Sequence, residues 1–209
     1  MKKVLSISLC ILLVLALVAG CTGKPAAPAS SEAMVVDKDK KEVSLLTTVN
    51  GKYFTEATRH GVVFKDGSNG EKSVLRAIGS EKDFNDALAS IGAKGANNVK
   101  LDDKGKGVKI EGTKLNVFVT WEGLGKEIPF NDIIISSDPR PMDIRFGGNI
   151  ENAKSKNTGC ILCLDSCPVG ITSNSSYAFG ESDTVKFTSN KDVLPKDGTT
   201  VTVIFRLAE

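Results

Sequence analysis

Apolar and polar positions alternate over several stretches of this chain, and a few others follow a helical spacing. Residues 42–49 and 52–58 read as strands flanking Asn50-Gly51, a dipeptide whose tolerance of positive φ makes it a strong short hairpin signal. Val62-Val63-Phe64 forms a further short apolar run before the turn-rich Asp66-Gly67-Ser68-Asn69-Gly70. Val74, Leu75 and Ile78 then predict a first short helix over 71–78. A second opens at Ser80, with Asp83 in the capping position, places Phe84, Ala87, Leu88 and Ile91 on one face, and ends at Gly92. Past Gly95 the period returns to two. Leu115, Val117, Val119 and Trp121 alternate with Asn116 and Thr120, although Phe118 interrupts the polar face. Residues 126–136 and 199–207 are also strand-like, with Val201, Val203, Phe205 and Leu207 marking one buried face. Two short helices among many strands predict a single α+β domain built round a largely antiparallel sheet. No internal repeat is visible.

The start of the chain follows neither period. Met1-Lys2-Lys3 precedes an apolar run from Ile7 to Ala19, broken only by Ser8, that ends in Leu17-Val18-Ala19-Gly20-Cys21. A basic start, an apolar stretch and small residues before a cleavage point are the parts of a secretory signal. The run is too short for a comfortable membrane span. Its ending resembles a bacterial lipobox, which implies cleavage before Cys21 and lipidation of that thiol. The expected organisation is a signal peptide at 1–20, lipidated Cys21 with an Ala/Pro/Ser-rich tether to residue 34, and a folded domain at 35–209. Two acyl chains on Cys21 would hold the protein stably on a bilayer. The expected location is the extracytoplasmic face of a membrane in a bacterial cell envelope, with that membrane as the first partner.

Charge adds little direction. The chain has 27 Lys+Arg against 25 Asp+Glu, and loss of Lys2 and Lys3 with the signal leaves the two signs equal. A balanced surface gives no electrostatic reason for a nucleic-acid partner.

Cysteine usage adds more. Of five cysteines, Cys10 lies in the signal and Cys21 at the lipid site, leaving Cys160, Cys163 and Cys167. An odd number cannot be fully paired within one exported monomer. The three fall within eight residues, Cys160-Ile-Leu-Cys163-Leu-Asp-Ser-Cys167-Pro168, in the expected Cys-rich loop 157–170. The spacing C-x2-C-x3-C-P equals the last three positions of the bacterial ferredoxin run. Asn157 stands where that run has its first cysteine, and no second run is present.

Four segments together resemble the exported bacterial proteins with a YdjY-type domain, several of them called ferredoxin-like: Arg59-His-Gly-Val-Val-Phe64, Val119-Thr-Trp-Glu-Gly123, Arg145-Phe-Gly-Gly-Asn149 and Gly159-Cys-Ile-Leu-Cys-Leu-Asp-Ser-Cys-Pro-Val-Gly170. The likeness spans roughly the whole domain from Val35 to Arg206. It implies no defined reaction, and its iron–sulfur association rests on the same cysteine spacing.

Three chemistries fit these thiols. The first is an iron–sulfur cluster on Cys160, Cys163 and Cys167. Export by the general route, implied by Lys2-Lys3 without a twin arginine, would require the cluster to be loaded outside the cytosol. The second is zinc or copper(I), with the chain's one histidine, His60, completing a Cys3His set. The third is a structural disulfide closing a small loop and leaving one thiol free. Cys160-Ile-Leu-Cys163 lacks the strand-then-helix setting of a thioredoxin site, and Leu164 stands where haem attachment needs histidine. Gly147-Gly148-Asn149 reads as a tight turn. Asp132, Asp138, Asp143 and Asp165 are scattered with no pairing suited to acid–base work. No nucleophile, base and orienting group can be assembled, which argues against an enzyme. The expectation is a lipid-anchored redox accessory protein with an iron–sulfur or metal site, working beside a membrane redox partner. The alternative is a binding or assembly module whose cysteines staple a loop.

Overall fold

The computed structural model describes residues 32–209. The expected signal peptide, Cys21 and nearly all of the tether lie outside the described residues. The described chain contains β1 (Met34–Asp37), β2 (Glu42–Val49), β3 (His60–Phe64), β4 (Ser73–Ala77), α1 (Glu81–Ser90), β5 (Lys114–Thr120), β6 (Ile128–Pro129) and β7 (Ile134–Ser136). It continues through β8 (Ile144–Phe146), α2 (Ile150–Lys156), β9 (Cys160–Cys163), β10 (Thr172–Asn174), β11 (Phe187–Ser189) and β12 (Thr200–Leu207).

Eight strands close into a barrel in the order β2, β12, β5, β8, β10, β9, β3, β4 and back to β2. Most neighbours are antiparallel, but β3–β4 and β9–β10 are parallel. The fold is therefore a mostly β closed barrel, which corrects the expected α+β domain built round a largely antiparallel sheet. Closure depends on β4, whose Leu75, Arg76 and Ala77 pair with Val49, Thr48 and Thr47. That segment is the one whose apolar spacing predicts the first helix. Val74 and Leu75 are both completely buried. A strand covered on both faces shows a continuous apolar run instead of alternation, and over five residues this mimics a helical face. β1 occupies the other half of the same edge of β2, pairing Met34–Asp37 with residues 42–45.

Asn50-Gly51 does not turn a hairpin. The Asn50 side chain accepts from Lys52 N at 3.4 Å and caps a short 3-10 helix, Gly51–Phe54, where a strand over 52–58 was expected. Gly51 serves close approach: a Cβ there would lie 2.7 Å from Asp197 Cβ. Residues 126–136 form two short strands, β6 and β7, interrupted by the 3-10 helix Phe130–Ile133.

The helix expected after Ser80 is α1. Ser80 Oγ accepts from Asp83 N at 3.1 Å, and Gly92 just beyond the helix has φ +100°. Its buried Phe84 packs edge-on to Phe205 of β12, ring centroids 4.7 Å apart. Full burial of each such side chain contributes about 1.5–3 kcal/mol. α2 was not foreseen, because Ile150 and Ala153 are too few apolar positions to set a period. Among the described residues no helix is long and apolar enough to cross a membrane.

Candidate metal centre

Cys160 and Cys163 occupy a barrel strand, β9, and not the loop expected at 157–170. Residues three apart on a regular strand face opposite ways. Here Val63 pairs with Cys160, Val62 with Leu162 and His60 with Cys163, so the register shifts twice. Ile161 is the extra residue on β9 and Gly61 the extra residue on β3. Ile161 and Leu162 consequently share the main core, while Cys160 and Cys163 join Val63 in a separate small cluster. The double bulge brings both thiols and the imidazole of His60 to one face.

Cys167 arrives by a different constraint. β9 and β10 are parallel neighbours, with Ser173 opposite Cys163, yet only residues 164–171 connect them. Parallel crossovers usually take a dozen or more residues. This connection must double straight back, and Ile171 N already donates to Cys160 O at 3.0 Å. The return carries Cys167 to Cys163. α2 fixes it in place: Asn149 Nδ2 donates to Cys167 O and Gly170 O, both at 3.0 Å, and Asn152 Nδ2 to Pro168 O at 3.0 Å. The tight turn read at 147–149 is present, with Gly148 at φ +71°, but the Asn149 side chain has this further task. Gly170 leaves necessary space, since a Cβ there would sit 2.9 Å from Cys163 Sγ.

One ligand atom from each of His60, Cys160 and Cys163 falls within 4.8 Å of the others. His60 Nδ1 lies 3.6 Å from Cys160 Sγ. A tetrahedral zinc with Zn–S of about 2.3 Å and Zn–N of about 2.05 Å sets its sulfur and nitrogen ligands about 3.6 Å apart. All three thiols are free and buried, with Cys160 and Cys163 at 0% exposure and Cys167 at 3%. His60 is half-buried, so it is the part of the cluster nearest solvent.

The electrostatics distinguish the thiols. The hydrogen bond from Cys163, opposed by burial and assisted by His60 and Asn69, holds Cys160 well below the usual thiol range. Cys163 is pushed well above that range by its hydrogen bonds to Cys160 and Cys167 and by its burial. Cys167 is lowered by Cys163, against burial, with the charge of Arg59 contributing. Arg59 itself is opposed by burial, but Cys167, Asp165 and Cys163 together raise it. Its Nε and Nη2 donate to Asp165 Oδ1 at 3.0 and 2.7 Å. Asp165, which shows no partner in the sequence, is a completely buried carboxylate that also accepts from Ser182 Oγ at 2.8 Å.

Asn69, Arg59 and Asn149 were not expected at the site. Three of the four segments that carry the family likeness converge here: 59–64, 145–149 and 159–170. The fourth does not. Trp121 lines a separate open groove of about 650 Å³ with Leu124, Ile128, Asn131 and Val193.

Fold and site define a small β-barrel protein with a thiol–imidazole cluster built into its wall. The chain belongs to the YdjY domain family, whose model matches residues 34–206. It is similar to the "Uncharacterized protein YdjY" of Escherichia coli (strain K12), with 43% identity over 183 residues covering 86% of this chain and 81% of that one. No solved structure matches the chain significantly.

Proposed function

We propose that this protein is a metal-binding accessory protein holding one thiophilic ion, zinc or copper(I), on Cys160, Cys163, Cys167 and His60. The observation that carries the reading is the convergence of two cysteines and the chain's one histidine within 4.8 Å on a bulged barrel wall, with Cys167 outside that set but packed in the same small buried cluster as Cys160 and Cys163. Soft thiolates with one imidazole suit either ion. The spacing favours a single ion over an iron–sulfur cluster: a cluster separates its cysteine ligands by a body of irons and sulfides, whereas the sulfurs of Cys160 and Cys163 lie within 4.8 Å of each other. Metal uptake would displace protons from the thiols to solvent. Arg59 then offsets part of the negative charge gathered on the sulfurs, and the half-buried His60 marks the side from which an ion reaches them.

The same reading places the domain outside the cytoplasm, tethered through lipid on Cys21 and serving a membrane-bound redox or metal-handling partner. The signal-like start of the sequence and the lipobox-like residues before Cys21 support it.

The test is an anaerobic native mass spectrum of the full chain exported in a bacterial host, repeated on C160S, C163S, C167S and H60A. One zinc or copper per chain, lost from each cysteine variant, is the expected result. A metal-free mass two hydrogens below the reduced chain, with one cysteine variant silent, would establish the disulfide alternative instead. Added mass of several irons with sulfide would replace the single ion by a cluster. Labelled palmitate incorporated by the wild type and not by C21S checks the anchor.

A further inference from the structure

We propose that Ser173 is a positioning residue of this site, its hydroxyl donating to the metal-bound Cys163 thiolate so that each thiolate has a polar donor of its own. The inference rests on the metal-binding reading above and assigns a role to a residue outside the four ligands.

Ser173 sits on β10 directly opposite Cys163 of β9 in the parallel pair, so the two side chains share a face. It is completely buried, and its Oγ has no hydrogen-bond partner. Buried hydroxyls are nearly always satisfied, and one without a partner calls for an explanation at the place where it points. The space beside Gly170 supplies one. The point a Cβ at residue 170 would occupy is 2.9 Å from Cys163 Sγ and 3.0 Å from Ser173 Oγ. The glycine thus leaves sulfur and hydroxyl facing one small gap, and a hydroxyl hydrogen rotates freely to suit its acceptor.

The other thiols already have donors from separate elements. Asn69 Nδ2 reaches Cys160 Sγ at 3.6 Å, from the turn between β3 and β4. Cys167 has the Val169 backbone N–H and the nearby Arg59 guanidinium. For Cys163 the candidate is Ser173, its neighbour across the strand pair, whose hydroxyl is unpartnered. Groups around a metal's ligands orient them, and losing one typically costs about 10- to 100-fold in affinity.

A second residue provides a matched control. Ser189 on β11 is also a buried serine whose Oγ lacks a partner, but its strand pairs with β7, away from the thiols. Full-length wild type, S173A and S189A are compared by zinc titration against a competing chelator, by the thiolate charge-transfer band of bound cobalt(II), and by urea unfolding of the metal-free proteins. The expected result is that S173A binds zinc about 10- to 100-fold more weakly. Its cobalt band moves to longer wavelength, its metal-free stability is not lowered, and S189A matches wild type in both metal readouts. Wild-type zinc affinity with an unshifted band in S173A overturns the role of Ser173 while leaving the metal site standing. A weakened S173A that is also destabilised without metal, or an equal metal defect in S189A, overturns it as well. A wild-type protein that binds neither zinc nor cobalt overturns the metal-site reading itself.

Discussion

Arg59 and Asp165 are joined by two hydrogen bonds across 106 residues of chain, with the arginine close enough to Cys163 and Cys167 to feel their charge. The carboxylate is completely buried, while 27% of the arginine side chain remains exposed. Breaking a buried pair by removing one partner leaves the other charge desolvated and costs about 3–5 kcal/mol. R59M is therefore expected to destabilise the protein by about 3 kcal/mol, toward the lower end because water reaches part of the site. Urea unfolding of the metal-free chain reads this out. A change below about 0.5 kcal/mol would show that Asp165 finds enough support from Ser182 and the Gly180 N–H, since ordinary surface substitutions fall in that range.

Asn149 holds the return of the chain from β9 to β10. Its amide donates to two carbonyls of that connection, and it is 3% exposed. N149A leaves both acceptors buried, at a cost of about 1–3 kcal/mol each at most. The expected loss is about 2–4 kcal/mol in unfolding, together with weaker zinc binding because Cys167 is no longer fixed. A variant with full zinc affinity would mean that Pro168 and the Asn152 contact suffice.

Some strands were legible: β5 and β12 lie where the alternation of Val117 and Val119, and of Val201 and Val203, marks them, β2 fills the stretch read as a strand at 42–49, and Ser80 opens α1. Closure was hidden because β4 is covered on both faces and so loses the period of two. The proposed ligands stand out in the sequence by chemistry alone, as three clustered cysteines and a lone histidine. Their arrangement was not. The bulges at Ile161 and Gly61 depend on how β3 and β9 pair, and Asn69, Arg59, Asn149 and Ser173 come to the cysteine segment only through tertiary structure. Asp165 illustrates the limit: its buried role is set by Arg59 and Ser182, neither of which is near it in the chain.

Metal binding to the folded chain should appear as stability. A ligand that binds only the native state adds about 2.7 kcal/mol at 100 times its dissociation constant. Zinc is expected to raise the unfolding midpoint of the wild type, and a chelator to reverse this. His60 is half-buried and its ring is close to Cys160, so H60A should retain the metal-free midpoint while losing much of the zinc-induced rise. An undiminished rise in H60A would remove His60 from the ligand set.

Gly170 gives the sharpest geometric test. Its missing side chain leaves room not only for Cys163 Sγ but for Ser173 Oγ and Thr172 O, each 3.0 Å from where a Cβ would stand. None of these can retreat easily, for Cys163 and Ser173 belong to barrel strands and Thr172 Oγ1 is held by Ile161 O at 2.7 Å. Forcing extra volume into such a packed site costs about 1–3 kcal/mol. G170A should lose that much stability, and the displaced thiol should lower zinc affinity at least as far as a single cysteine substitution does. The comparison with G123A separates the causes of any loss. Gly123 has φ +85° and open space around its Cβ position, so alanine there adds backbone strain without touching the thiols. If G123A and G170A weaken zinc binding equally, the effect comes from general destabilisation and the contact with Cys163 is irrelevant. A defect confined to G170A ties metal affinity to the position of that sulfur.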